Sequence, residues 1–278
     1  MFLITGANGQ LGSELRELLT TEQACFTDYQ DLDICNEEAV AAFVAAGQFS
    51  AIINCAAYTA VDAAEDNEEQ ARRINVDGPA NLAKTGLPII QVSTDYVFDG
   101  LNHRPYLESD ATGPVSVYGV TKLDGEMAVL EHAETAIIIR TAWLYSSFGN
   151  NFVKTMQRLG AERQSLQVVW DQVGTPCYAA DLAQAIVSIL PQIKQGQKEI
   201  YHYSNEGVCS WYDFAREIME ISELPCEVYP IPAAQYPTKA TRPSYSVLDK
   251  AKIKADFQLT IPHWKQSLTQ CISKLKAQ

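Results

Sequence analysis

Five short apolar runs alternate with helix-length segments through the first half of the chain, and this rhythm limits the fold more than any other feature. The runs lie at 2–5, 24–28, 51–57, 88–94 and 136–142, and helical patterning falls near 10–20, 36–46, 66–84 and 116–132. Runs rich in Ile and Val without polar alternation suit strands covered on both faces. Helical crossovers between them join parallel strands with a right-handed hand. The sequence therefore predicts an α/β fold, a doubly wound parallel sheet of Rossmann type.

Past residue 145 the rhythm changes. Residues 164–178 read as strand and turn, 179–190 as helix, and 198–205 as a strand able to extend the sheet. Prolines 225, 230, 232, 237 and 243 exclude long helices between 224 and 246. That segment is expected to form a small cap over the sheet's carboxyl edge, where open α/β sheets bind ligands. The expected division is a dinucleotide-binding domain over 1–145, with 178–204 returning to it, and a smaller substrate-binding domain over 146–177 and 205–278.

The 278 residues include 34 Asp and Glu against 21 Lys and Arg, a formal net charge of -13, which would repel a phosphate backbone. Nucleic acid is not an expected partner. No run approaches the roughly 20 apolar residues that span a bilayer. The stretch Phe2 to Ile4 is too short for the apolar part of a secretory leader, so a cytoplasmic location without membrane contact is expected. Cysteines 25, 35, 55, 177, 209, 226 and 271 and the four histidines are scattered, without zinc-binding spacing. Reduced thiols and no structural metal follow.

Gly6, Gly9 and Gly12 form Gly-x-x-Gly-x-x-Gly between the first strand and the first helix. Glycines there permit a tight turn and close backbone approach, and the free N–H groups of a helix start attract an anion. An ordinary glycine turn is the alternative. Asp28 falls at the end of the second strand, 16 residues beyond Gly12, where an acid can accept from a ribose hydroxyl or simply be solvated. Together these residues predict a dinucleotide site.

In "VYGVTKLDGE", Tyr118 and Lys122 stand four apart on a predicted helix and share a face. A nearby ammonium would stabilise the phenolate and draw Tyr118 from about 10 toward neutrality, making it a usable acid or base. Any amphipathic helix can carry such a pair, but "VSTDYVF" brings Thr94 to the sheet's carboxyl edge beside the same helix.

These motifs, with "NCAAYT", "STDYVFDG", "RTAWLY", "GNNFVKTM", "DQVGTP" and "TRP", run through nearly the whole chain in order. The sequence resembles the extended short-chain dehydrogenase/reductases, most closely the dTDP-4-dehydrorhamnose reductases among them. That resemblance implies NADH or NADPH as cofactor and reduction of the C4 ketone of dTDP-4-dehydro-6-deoxy-L-mannose to dTDP-L-rhamnose. Gly9, Gln10 and Leu11 match the family's pyrophosphate loop, Asp28 its ribose contact, and Asp33 and Ile34 its adenine contact. Cys55, Ala56 and Ala57 match the strand end beside the adenosine ribose, with cysteine where the family usually has alanine.

Thr94, Tyr118 and Lys122 match the catalytic trio, and Asp95 and Trp143 match positions that hold the sugar. Lys122 would also hold the nicotinamide ribose. Arg242 is a candidate for the substrate's pyrophosphate, or for a structural ion pair. Nucleotide-sugar 4,6-dehydratases follow the threonine with Asp-Glu, whereas this chain has Asp95-Tyr96, which favours reduction over elimination. An epimerase or dehydratase, and a non-catalytic dinucleotide-binding regulatory subunit, are the other readings. NADH is expected to serve at least as well as NADPH, because no Lys or Arg occurs from 24 to 39. Some relatives pair through acids bridged by a divalent ion, and Glu14 sits where one such acid could lie. The tail offers no second acid, so Mg2+ is not expected to be obligatory, and the protein is expected to be a monomer or homodimer.

Overall fold

Six parallel strands form the central sheet of the computed structural model, which describes residues 1–277. In chain order they are β1 (Phe2–Thr5), β2 (Ala24–Thr27), β3 (Ala51–Asn54), β4 (Ile89–Thr94), β5 (Ala136–Thr141) and β6 (Lys198–His202). Across the sheet the order is β6-β5-β4-β3-β1-β2, so the winding reverses between β1 and β3. Such a reversal opens a crevice at the carboxyl ends of the strands. Registration is continuous: Phe2 pairs with Ala24 and Ala51, and Thr94 with Thr141. The strand expected at 198–205 does extend the sheet, pairing β6 with β5.

Helix α1 (Gln10–Leu18) follows the glycine loop and α2 (Glu37–Ala46) follows β2. The helix expected over 66–84 is Glu68–Arg72, then a π turn at Arg73–Asp77, then Gly78–Ala83. Buried Asn75 lies in that turn, accepting from Tyr58 N at 2.8 Å and donating to Thr121 Oγ1 at 3.1 Å. A side-chain network thus accompanies the wider winding. Helix α3 (Val117–His132) starts at Ser116, whose hydroxyl accepts from Gly119 N at 3.2 Å and replaces a missing helical partner. Gly119 lets the helix press on the loop after β4, since a Cβ there would lie 2.3 Å from Tyr96 O.

The remaining long helices are α4 (Phe152–Glu162), α5 (Ala179–Ile189), α6 (Trp211–Ser222) and α7 (Trp264–Lys276). One apolar core lies between the sheet, α1, α5 and the short helix Ala251–Phe257, and another lies on the sheet's opposite face. A separate core joins α4, α6 and α7 around Phe214, which is fully buried. Truncating such a residue to alanine costs about 3–5 kcal/mol. Over this core, Ser165–Val169 pairs in parallel with Glu227–Ile231. The proline-rich segment after it holds only a short 3-10 turn, Ala233–Gln235.

Glu14, which sits where one acid of a metal-bridged pair could lie, is turned into the fold. It is buried, accepts from Ser146 Oγ at 2.5 Å and pairs with Lys274 Nζ at 3.1 Å, tying α1 to α7. Hydrophobic packing of α1 draws the carboxylate inward, where two donors offset its desolvation. All seven cysteines are free thiols. Among the described residues, no helix is long and apolar enough to cross a membrane.

Candidate active site

A cleft of about 860 Å³ opens at the carboxyl edge between β1, β3, β4 and β5, and it gathers most of the residues singled out from sequence. Its floor on one side is the loop Gly6 to Gly12. Gly6 adopts φ +67°, and a Cβ at Gly12 would lie 2.5 Å from Gly6 O, so side chains are excluded where the backbone folds over itself. Gly9 caps α1 without a side-chain partner, leaving the N–H groups of the first turn to meet an anion. Asp28 borders the loop: its Oδ2 accepts from Asn8 N at 2.9 Å and its Oδ1 from Tyr29 N at 2.8 Å. Cys55, Ala56 and Ala57 line the cleft after β3. Burial raises the Cys55 thiol to about 12, so it serves as a small neutral side chain.

Asp33 and Ile34 do not line this cleft. Ile34 is buried in the apolar core beneath the sheet, and Asp33 Oδ1 accepts from Cys35 N at 3.0 Å. Packing of the segment after β2 turns both side chains to local partners.

Thr94, at the end of β4, and Tyr118 and Lys122, one turn apart on α3, meet in the middle of the cleft. Thr94 Oγ1 donates to Asp95 Oδ1 at 3.0 Å and accepts from Tyr96 N at 3.2 Å. The Tyr96 ring meets the Tyr118 ring edge-on at 5.4 Å. Lys122 Nζ donates to Val92 O at 2.7 Å, and burial lowers its ammonium to about 8.

One expectation is corrected here. Burial raises the Tyr118 phenol above its ordinary value, and the neighbouring charges of Asp95 and Tyr96 push the same way against a hydrogen bond with Thr94. Lys122 donates to the strand at Val92 O, and its ammonium does not offset that rise. Tyr118 is thus held as the neutral phenol at neutral pH, the form a proton donor needs.

Asp95 is buried and its Oδ2 has no hydrogen-bond partner among the described residues. Burial raises its carboxyl to about 6. Behind the trio, Glu126 and Arg140 form a buried pair with contacts at 2.7, 2.9 and 3.2 Å, and Glu126 also accepts from Ser93 Oγ. Sequence reasoning passed over this pair. Its signal was a lone arginine inside the apolar run "AIIIRTA", which needs an acidic partner to be buried.

The far wall comes from the C-terminal half. Trp143 takes φ +46°, rare for a large side chain, and its ring stacks on Trp211 at 3.6 Å and 10°. Trp211, Phe152 and Arg242 line both this cleft and an adjoining hollow of about 890 Å³, whose other walls include Gln167, Tyr229, Gln235 and Tyr236. Arg242 donates to Asp62 Oδ2 at 2.7 Å and to Tyr96 OH at 3.2 Å, so it is at once ion-paired and facing both spaces. Phe152 lies within "GNNFVKTM" but was given no role there, and Trp211 carried no motif by which sequence alone could mark it.

The family model described as RmlD substrate binding domain matches residues 1–277. A dTDP-4-dehydrorhamnose reductase of Aggregatibacter actinomycetemcomitans is 40% identical over 282 residues, covering 96% of each chain. The crystal structure of a dTDP-4-dehydrorhamnose reductase from Clostridium acetobutylicum is similar with a TM-score of 0.94 at 43% identity, over 99% of both chains. A Bacillus anthracis dTDP-4-dehydrorhamnose reductase, solved in complex with NADP, is similar with a TM-score of 0.94 at 38% identity, over 98% of both.

Proposed function

Because this chain belongs to the RmlD substrate binding domain family, several of whose members similar to it are named dTDP-4-dehydrorhamnose reductase, we propose that it reduces the C4 ketone of dTDP-4-dehydro-6-deoxy-L-mannose to dTDP-L-rhamnose. The observation that carries this reading is one cleft in which a bare glycine loop, the Thr94, Tyr118 and Lys122 group, and a hollow lined by an arginine and aromatics adjoin. The first turn of α1 and the glycine loop suit a dinucleotide's phosphates, and Asp28 suits a ribose hydroxyl. A nicotinamide cofactor bound there supplies the hydride.

This chain's residues do the rest. Thr94 hydrogen-bonds the carbonyl oxygen, and the neutral phenol of Tyr118 gives its proton to that oxygen as it becomes an alkoxide. Lys122 holds the nicotinamide ribose and counters the phenolate left behind. Asp95 and Trp143 hold the sugar. Arg242 takes the pyrophosphate with its guanidinium fork, exchanging Asp62 for phosphate oxygens, and the aromatic hollow takes the nucleoside. In this division 1–145 with 178–204 binds the cofactor, and 146–177 with 205–278 binds the substrate; the separate apolar core around Phe214 supports it. Tyr96 stands where dehydratases need a glutamate, which disfavours elimination.

NADH is proposed to serve at least as well as NADPH. Lys122 and Arg242 are the cleft's basic lining residues, and Arg16 lies over the Phe26 ring at 4.6 Å. Among the described residues no ion pair ties a cation to Asp28, so a 2′-phosphate would meet its carboxylate without a paired cation. The test is incubation of the full chain with the keto sugar and each reduced cofactor, with the product identified by NMR. Rhamnose-configured product is expected, with turnover surviving chelation of divalent ions, and with Asp28→Ala narrowing the gap between cofactors. A folded protein that returns the keto sugar unreduced overturns the reaction. A preference for NADPH of tenfold, about 1.4 kcal/mol, overturns the cofactor assignment.

A further inference from the structure

Resting on the reading above, we propose that Glu126 is a positioning residue. Through Ser93 and Arg140 it fixes the strand that carries Thr94 against the helix that carries Tyr118 and Lys122, and it sets a carboxylate one turn from Lys122.

Glu126 lies one turn beyond Lys122 on the same face of α3. Its carboxylate accepts from Ser93 Oγ, next to Thr94 on β4, and from Arg140 Nε and Nη2 on β5. Three elements therefore meet at one buried carboxylate, which is 1% exposed beside an arginine 2% exposed. The catalytic group is split between two of them, Thr94 on the strand and Tyr118 with Lys122 on the helix. Sliding α3 along β4 would separate the oxygen that orients the ketone from the one that protonates it. Packing alone does not require charges here, since apolar residues of similar volume often replace a buried pair without loss of stability.

Few charges act on Lys122. Glu126 on its own helix favours the ammonium, Val92 O accepts from it, and the neutral Cys55 thiol lies on the β3 side. Glu126 in turn faces Ser93, Arg140 and Lys122. Beyond Arg140 lies His202, kept neutral because burial lowers it to about 3. Glu126 is thus the anion that opposes the desolvation of Lys122. Neutralising it should make Lys122 lose its proton at lower pH.

The experiment labels the full chain with 13Cε-lysine, assigns Lys122 by Lys122→Met, and titrates the wild type and Glu126→Gln by NMR beside the pH profile of kcat. The expected result is a fall of about one unit or more in the Lys122 midpoint. The alkaline limb of kcat should move down with it, while KM for the keto sugar stays near wild type. If Glu126→Gln does not fold, the paired Glu126→Leu, Arg140→Met chain takes its place, with the same shifts expected. A folded variant with wild-type Lys122 midpoint and kcat profile overturns the proposal. Ser93→Ala keeps the charge and loosens the strand, so kcat should fall about tenfold with the midpoint unchanged; unchanged kcat overturns the positioning role. If the wild type itself fails to reduce the keto sugar, the proposed reaction fails, and the NMR titration still decides whether Glu126 governs Lys122.

Discussion

The two walls of the cleft are built in opposite ways. The cofactor side is a continuous stretch, Gly6 to Gly12, held by its own backbone and the start of α1. The substrate side is assembled from Trp143, Phe152, Trp211 and Arg242, brought together from four separate segments, with the three aromatics packed against a different apolar core. A wall made of contiguous backbone keeps its shape if α1 stays packed, so its function depends on the absence of side chains. A wall made of distant side chains depends on every segment holding its place, and it is where one member of a family can differ from another. Tyr118 stands between the two, and it gives the sharpest test of how they cooperate.

Tyr118→Phe removes one hydroxyl from the junction and leaves both walls intact. Turnover is expected to fall about 10²–10⁴-fold, while binding of cofactor and of nucleotide sugar, measured separately, stays near wild type. Near-normal turnover would mean that another group delivers the proton. Arg242→Gln attacks the substrate wall alone. It should raise KM for the nucleotide sugar about 10–100-fold and leave the affinity for NADH unchanged, because the glycine loop shares no contact with the guanidinium. Equal loss of both affinities would show that the walls are not independent.

This contrast also explains what the sequence made legible. The alternation of apolar runs and helices announces the parallel sheet, because covered strands must be apolar on both faces, and the glycine spacing announces its loop because only backbone approach needs it. Tyr118 and Lys122 are legible as a pair because a helix fixes their spacing. What spacing could not reveal is their electrostatics: Lys122 turns to Val92 O and burial raises the phenol instead of lowering it. The Trp143–Trp211 stack and the pairing of Ser165–Val169 with Glu227–Ile231 depend on contacts between segments far apart in the chain. Nor could sequence show that Asp33 caps Cys35 N or that Ile34 packs into the core on one face of the sheet.

Asp95 gives a smaller effect and a different kind of test, since it sets the cleft's function against the stability of the fold. Its carboxyl is buried, has an unpartnered Oδ2, and is raised to about 6. In the unfolded chain the same group ionises near its ordinary value of about 3.9. Below that pH the carboxyl is protonated in both states and no cost arises. As pH climbs toward 6 the unfolded chain releases the proton first, so the folded state loses ground; above 6 the cost is complete and constant. Asp95→Asn removes that charge and keeps the size but turns one acceptor oxygen into an NH2 donor. At pH 7 the variant should therefore be more stable than wild type by about 1–2 kcal/mol in urea unfolding, and the gain should vanish by about pH 4. Its affinity for the nucleotide sugar should fall, because the oxygen left unpartnered is the one free to accept from a sugar hydroxyl. A site that stores cost in the empty protein and releases it on binding behaves this way. If Asp95→Asn were less stable at pH 7 than wild type, the carboxylate would be a structural anchor of the loop after β4, and the substrate wall would begin further from the trio than the geometry indicates.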